Sequence, residues 1–227
     1  MTLDVIAHFH SPLTSKFGIP RQSGLVECLE GDVVFQPAYR NPDYVRGLEG
    51  FDYIWLIWAF SANAHNDVRA TVRPPLLGGN EAMGVLATRS PYRPNPIGLS
   101  SVRLQGITFD EKHGPVLHVV GADLMDGTPI YDIKPYVEYA DAHVGVRNGF
   151  VDKREWKSLH VVFDNDTANC FFDDEREVVR SLLSLDPRPQ YHDDPQRIYG
   201  MPYAGRDIRF RVDGGILTVV DVVEFQE

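Results

Sequence analysis

FDYIWLIWAF, residues 51–60, is apolar at every position but Asp52. Aromatic and β-branched residues favour a pleated strand, and both alternating sets, 51/53/55/57/59 and 54/56/58/60, are hydrophobic. Such a strand must be covered on both sides, by the rest of its domain or by a partner subunit. Taken as 52–60, it stands among further runs at 3–9, 32–36, 83–88, 98–109 and 116–122, rich in Val, Ile and aromatics and punctuated by Gly, Pro and Asp. That spacing predicts a β-barrel or sandwich.

Beyond it, the polar stretch 140–158 reads as a boundary. A strand is predicted over 159–163. DDEREVVRSLLSL, 173–185, is predicted to be a helix, with acids in its first turn and Val178, Val179, Leu182, Leu183 and Leu185 on one face. A hairpin of 206–212 and 216–225 is expected to close on Asp213-Gly214-Gly215. The expected fold class is mainly β: a β-barrel domain over 1–145 and a small α+β domain over 146–227.

The chain has 227 residues, 43% hydrophobic and 24% charged, enough to bury a sizeable core. MTLDVIAHFH carries an acid where a secretory leader carries basic residues, and no run approaches the roughly 20 apolar residues of a membrane span. Cys28 and Cys170 lie far apart, which suits a reducing compartment; a cytoplasmic protein is expected. A net charge of −10 argues against broad, non-specific nucleic-acid binding. Two islands depart from it. Residues 69–103 hold five arginines (69, 73, 89, 93, 103) against Glu81, a local +4, and 197–211 hold four (197, 206, 209, 211) against Asp207, a local +3.

Common cofactor signatures are missing: no GxGxxG after a strand, no GxxxxGK[ST], no HExxH and no CxxC pair. His8 and His10 share a strand face but have no third ligand nearby, so no metal is expected. The remaining signal lies in stiff, polar loops. ATRSPYRPNPIG (87–98) places Pro91, Pro94 and Pro96 where neither a helix nor a central strand can pass, and carries Arg89, Tyr92, Arg93 and Asn95. GIPRQSG (18–24), RPPLLGGN (73–80) and DLMDGTPIYDIKPY (123–136) share the device. Any one of them reads as a structural turn; four in one domain point to a site, because function concentrates on loops held by a rigid scaffold. In LDPRPQY (185–191), Pro187 serves as a helix stop, whereas Arg188, Pro189 and Tyr191 suit stacking on a base or gripping a phosphate.

Taken in order, PRQSG, GLEGFDYIWLIWAF, TVRPPLLGGN, GVLATRSPYRPNPIGLS, DLMDGTPIYDIKPY and DPRPQY resemble the TsaA/YaeB family, the TrmO-type tRNA methyltransferases. The resemblance implies a barrel-type, non-Rossmann enzyme that uses S-adenosyl-L-methionine, pairs as a homodimer with the cofactor near the subunit interface, and methylates N6 of N6-threonylcarbamoyladenosine immediately 3′ of the tRNA anticodon. Carried over by position, the cofactor contacts fall on Pro20, Arg21, Gln22, Arg89, Leu99, Asp123, Leu124, Met125 and Asp126. The block linked to tRNA falls on Asp186, Pro187, Arg188, Pro189 and Tyr191. One departure is visible: where relatives carry a His-Gln pair after the long strand, this chain has Ser61-Ala62, and Asn63 or His65 are the neighbours placed to replace it.

Methyl transfer is assisted mainly by alignment, which a loop that cannot flex provides. Arg89 is therefore expected at the cofactor and Tyr92 and Arg93 at cofactor or RNA, with Arg188 and Tyr191 on the RNA. The candidates for accepting the N6 proton are Asp126, Asp132, Asp186 or water. Two other readings stay open: a methyltransferase with the same cofactor but another nucleoside or small molecule, and a non-catalytic barrel that binds adenosylmethionine or RNA.

Overall fold

In the computed structural model, which describes residues 2–62, 67–153, 157–189 and 194–225, the first eight strands are β1 (Ala7–His10), β2 (Glu30–Phe35), β3 (Tyr53–Ala59), β4 (Thr71–Val72), β5 (Met83–Gly84), β6 (Ile97–Asp110), β7 (Gly114–Val120) and β8 (Thr128–Pro135). Alternation along β3 sends Ile54, Leu56 and Trp58 inward, where they join Phe9, Val33, Val102, Leu117 and Ile130 in one core. Six strands close around that core in the order β1-β2-β7-β6-β3-β8, every pair antiparallel. Closure leaves no open edge. The outward set on β3 is covered only in part: Tyr136 packs 6.2 Å from Tyr53 and 5.6 Å from Trp55, centroid to centroid.

Two elements differ from the sequence expectation. Only Met83 and Gly84 of the 83–88 run are extended, pairing with β4; Val85–Ala87 is a 3-10 turn, closed by the Thr88 hydroxyl donating to the Val85 carbonyl at 2.8 Å. Thr128–Pro135, within a segment dense in turn formers, is a strand. It pairs with both β1 and β3 and completes the barrel.

The C-terminal part adds α1 (Glu138–Asp141), β9 (His160–Val162), α2 (Asn165–Ala168), α3 (Asp173–Ser184), β10 (Tyr199–Tyr203), β11 (Arg206–Asp213) and β12 (Ile216–Glu224). The sheet order is β10-β11-β12-β9, with β9 parallel to β12. Asp213 sits opposite Ile216, so the hairpin turns on Gly214 and Gly215 alone; their φ angles of 54° and 85° are those a two-residue turn of this hand requires. Helix α3 buries Val178, Val179, Leu182 and Leu183, the face its periodicity predicts.

This second core also contains Leu13, Val26 and Leu29, which lie between β1 and β2 in sequence. The segment 11–29 thus leaves the barrel, packs beneath the C-terminal sheet and returns. Gly18, at φ 95°, lies so close to Met201 that a Cβ would stand 2.6 Å from the sulfur, and the Ala204 N–H donates to the Pro12 carbonyl at 2.9 Å. Among the described residues, no helix is long and apolar enough to cross a membrane.

Candidate active site

The proline loop is braced along its whole length. Arg93 donates from Nη1 to the Thr88 carbonyl at 2.9 Å, the Ile97 N–H reaches the Asn95 carbonyl at 2.7 Å, and the Phe60 N–H reaches the Pro96 carbonyl at 3.1 Å. Arg69 clasps its outer side: its N–H donates to the Tyr92 carbonyl at 3.0 Å and its guanidinium lies 4.8 Å over the Tyr92 ring. Fixed φ at three prolines and these hydrogen bonds hold Arg89 at the mouth of the barrel, where its Nη1 contacts Gln22 Oε1.

A buried chain of hydrogen bonds holds the opposite wall. Trp58 Nε1 donates to Ser100 Oγ at 3.0 Å, and Ser100 Oγ donates to Asp123 Oδ1 at 2.5 Å. Ser100 is 1% exposed. Trp58 lies flat against its cross-strand partner Gly98, where a Cβ would sit 2.2 Å from the indole. Burial pushes the Asp123 carboxyl above the usual carboxylate range, against the opposing pull of the Ser100 hydrogen bond and the Arg89 charge.

Between these walls lies a cleft of about 880 Å³. Of the residues expected at the cofactor, Pro20, Arg21, Gln22, Arg89, Leu99, Asp123 and Met125 line it, joined by Arg93 from the substrate set and by Ser61 and Ala62. Leu124 does not; it is buried in the barrel core. Asp126 does not either: its carboxylate accepts the Ser11 N–H at 3.1 Å and meets His10 Nδ1 at 3.2 Å, fixing the chain where it leaves β1. Asp132 lies outside the cleft, against Lys134 at 2.9 Å, and Tyr92 is taken up by Arg69.

A second groove, of about 410 Å³, adjoins the cleft and shares Lys16, Ile19 and Arg21 with it. It is lined by Arg73, by Gly78 and Gly79, and by Asp186, Pro187, Arg188 and Pro189. Asp186 takes a left-handed φ of 52°, unusual for a residue other than glycine. Arg188, with 13% of its side chain exposed, grips the Asp186 carboxylate through Nε at 2.8 Å and Nη2 at 2.9 Å, while Arg21 Nη2 donates to the Asp186 carbonyl at 2.9 Å. The loop after α3 is therefore anchored to the 18–24 loop of its own chain. Tyr191, Asn63 and His65 lie outside the described residues.

Arg69, Arg73, Arg89 and Arg93 of the first basic island gather at these two cavities and their rim. Three of the four arginines of the second island are engaged locally. Arg206 pairs with Glu175 at 3.1 Å, Arg209 with Asp207 at 3.3 Å and Asp221 at 3.6 Å, and Arg197 stacks over Tyr199. His8 bonds Gln36 at 2.7 Å rather than sharing a site with His10, and among the described residues no group of three or more ligand-type side chains stands ready for a metal. Trp58, Gly98 and Ser100 were not among the expected site residues. Gly98 alone carried a signal, a glycine inside a predicted strand.

Fold and site together define a closed antiparallel barrel with a nucleoside-sized, arginine-rimmed cleft built from loops at one end. The tRNA-methyltransferase O N-terminal domain matches residues 8–142, and the C-terminal domain of the same family matches 158–225. The chain belongs to that family. It is 35% identical over 215 residues to the tRNA (adenine(37)-N6)-methyltransferase of Escherichia coli, covering 91% of each chain. An Eikenella corrodens protein of the same name is 38% identical over 173 residues, 76% of this chain and 97% of its own. A Pseudomonas aeruginosa protein named as a candidate S-adenosylmethionine-dependent methyltransferase is 36% identical over 225 residues, 96% of this chain and 95% of its own. The crystal structure of TrmO from Pseudomonas aeruginosa superposes with a TM-score of 0.78 at 30% identity, covering 98% of both chains.

Proposed function

We propose that the protein uses S-adenosyl-L-methionine to methylate N6 of N6-threonylcarbamoyladenosine at position 37 of tRNA, the position and atom in the names of its relatives. The observation that carries this reading is convergence: residues from 19–22, 58–62, 86–99 and 123–125 meet at one cleft. Its walls fit the cofactor. Trp58, Ile97 and Leu99 offer apolar surface to an adenine, Arg21 and Arg89 match a carboxylate, and the Asp123 carboxylate suits a cation. When bound, adenosylmethionine supplies a methyl group activated on sulfur. The chain's own part is to orient it and hold the attacking nitrogen in line.

In this reading the barrel division, 1–145, carries the cofactor, and the division 146–227 presents Arg188 and Tyr191 to the anticodon loop. With Asp126 and Asp132 outside the cleft, and the Asp186 carboxylate clamped by Arg188 in the adjoining groove, the N6 proton passes to water. The outward face of β3, where Tyr53 is 45% exposed, suits contact with a second copy, giving a homodimer. Free, exposed Cys28 and Cys170 suit a reducing cytoplasm.

The test is methyl transfer from labelled adenosylmethionine to tRNA containing or lacking threonylcarbamoyladenosine, followed by nucleoside mass spectrometry. Label on that nucleoside alone is the expected result; cofactor binding without label in either pool discards the tRNA substrate. A second reading, the same cofactor with a different nucleoside, is favoured by Ser61 and Ala62, which line the cleft where a His-Gln pair was expected.

A further inference from the structure

Along the outer side of the barrel, a recess of about 450 Å³ opens where β3 ends, β6 begins and β8 passes. Phe60, Ser61, Asn95 and Ile97 line both the recess and the cleft, so the two cavities share a wall. Their chemistry differs from that of the groove beside Asp186. Lys16, Arg21, Arg73, Asp186 and Arg188 line that groove, whereas among the described residues no charged side chain lines the recess, which is closed by Leu3, Pro96, Pro129 and Tyr131. Phosphates and carboxylates are matched by the first surface; a flat, uncharged ring is matched by the second.

The polar groups in the recess are few and held in place. Asn95 sits between Pro94 and Pro96, and its carbonyl is tied to the Ile97 N–H at 2.7 Å, so its side chain projects from backbone with little freedom. Among the described residues, neither the Asn95 amide nor the Tyr131 hydroxyl has a hydrogen-bond partner. Phe60 is fixed from behind by Trp58, edge to face at 4.4 Å. An exposed amide on a stiff loop, in a recess also lined by Phe60 and Tyr131, offers what a base removed from its stack requires: ring faces to replace lost stacking and one donor–acceptor pair to read an edge.

We infer that the recess binds the adenine ring of the substrate, with Asn95 Oδ1 accepting the N6–H and Nδ2 donating to N7, and with Phe60 and Tyr131 packing on the ring. This deepens the function proposed above and rests on it. Because Asn95 belongs to both cavities, an N6 held by its amide stands at the shared wall, on the side of the cofactor. The same amide pairing selects adenine, since guanine presents an acceptor, O6, where adenine presents N6–H.

The test compares two anticodon stem-loop RNAs that are identical except at the target nucleotide, N6-threonylcarbamoyladenosine in one and an abasic site in the other. Binding is read by fluorescence anisotropy in the presence of S-adenosylhomocysteine. The wild type is expected to favour the base-containing loop by about tenfold or more, the range of one bidentate base contact with stacking. Asn95→Ala and Tyr131→Ala are expected to lose most of that preference while binding the abasic loop within about threefold of wild type. Asn95→Asp, which keeps size and acceptor but loses the N7 donor, gives the same reading should the alanine variant fail to fold. Equal wild-type affinity for the two loops, or a preference that survives Asn95→Ala, overturns the inference. Methylation of bulk tRNA by the wild type is scored separately. Activity without base preference overturns the recess and leaves the function; base preference without methyl transfer overturns the function.

Discussion

Arg21 Nη2 lies 2.9 Å from the carbonyl oxygen of Asp186, a hydrogen bond that joins a residue of the main cleft to the loop carrying Arg188. Arg21 lines both cavities, and the Asp186 charge offsets part of the cost of burying its guanidinium. The 18–24 loop and the loop after α3 are thus parts of one braced unit.

Replacing the two arginines separates their roles. Arg21→Ala is expected to weaken adenosylmethionine binding by about tenfold, the worth of one charged hydrogen bond, and to speed amide exchange around 186–189. Arg188→Ala is expected to leave cofactor affinity within about threefold while lowering tRNA methylation at least tenfold. Calorimetry and labelled-methyl assays read the two effects; equal loss of both by Arg188→Ala contradicts the division.

Gly98→Ala is expected to destabilise the protein by about 1–3 kcal/mol, because its Cβ would fall 2.2 Å from the Trp58 indole in a packed barrel. Gly84→Ala, at a site with open space and an ordinary φ, is expected to stay within about 0.5 kcal/mol. Urea unfolding of the pair measures the contrast.

Ser100→Ala removes the middle of a buried chain, leaving Trp58 Nε1 without its acceptor and Asp123 without its one side-chain donor among the described residues. A cost of about 1–3 kcal/mol is expected in denaturant unfolding, together with weaker cofactor binding. Ser100→Cys, which restores a weak donor, is expected to recover part of both.

Asp123→Asn tests the electrostatics of the cleft. The folded protein holds the Asp123 proton more tightly than the unfolded chain does, through burial, so ionisation works against folding as pH rises through the raised value. Asn carries no such charge. Asp123→Asn is therefore expected to be the more stable protein near neutral pH, with the gap closing as pH falls below about 4, the ordinary carboxylate range. Thermal melts across pH check the sign, and cofactor affinity is expected to fall.

Much of this could be read from residues alone because burial selects them visibly. β3 alternates its inward Ile54, Leu56 and Trp58 with half-covered aromatics, and α3 repeats its apolar face at helical spacing. The stiff loops also declared themselves, since three prolines in 87–98 exclude regular structure. β8 was hidden because its order comes from β1 and β3, distant in sequence, and because Pro129 and Pro135 sit near its ends, where loss of an N–H is tolerated. Asp123 and Asp126 looked alike in DLMD; only the fold sends one to the cleft and the other to the Ser11 N–H. The chain Trp58–Ser100–Asp123 spans three elements, and no local pattern announces such a contact.

Leu13, Val26 and Leu29 emerge early from a ribosome, while α3 and β10 to β12, which cover them, emerge last. β1 likewise waits for β8 before the barrel can close. At about 5–20 residues per second, the nascent chain carries an unsheltered hydrophobic stretch through most of its synthesis. Those contacts can form only once the C-terminal part has been made, so an N-terminal fragment leaves the three side chains uncovered and a fragment starting at 146 lacks three of its own buried side chains.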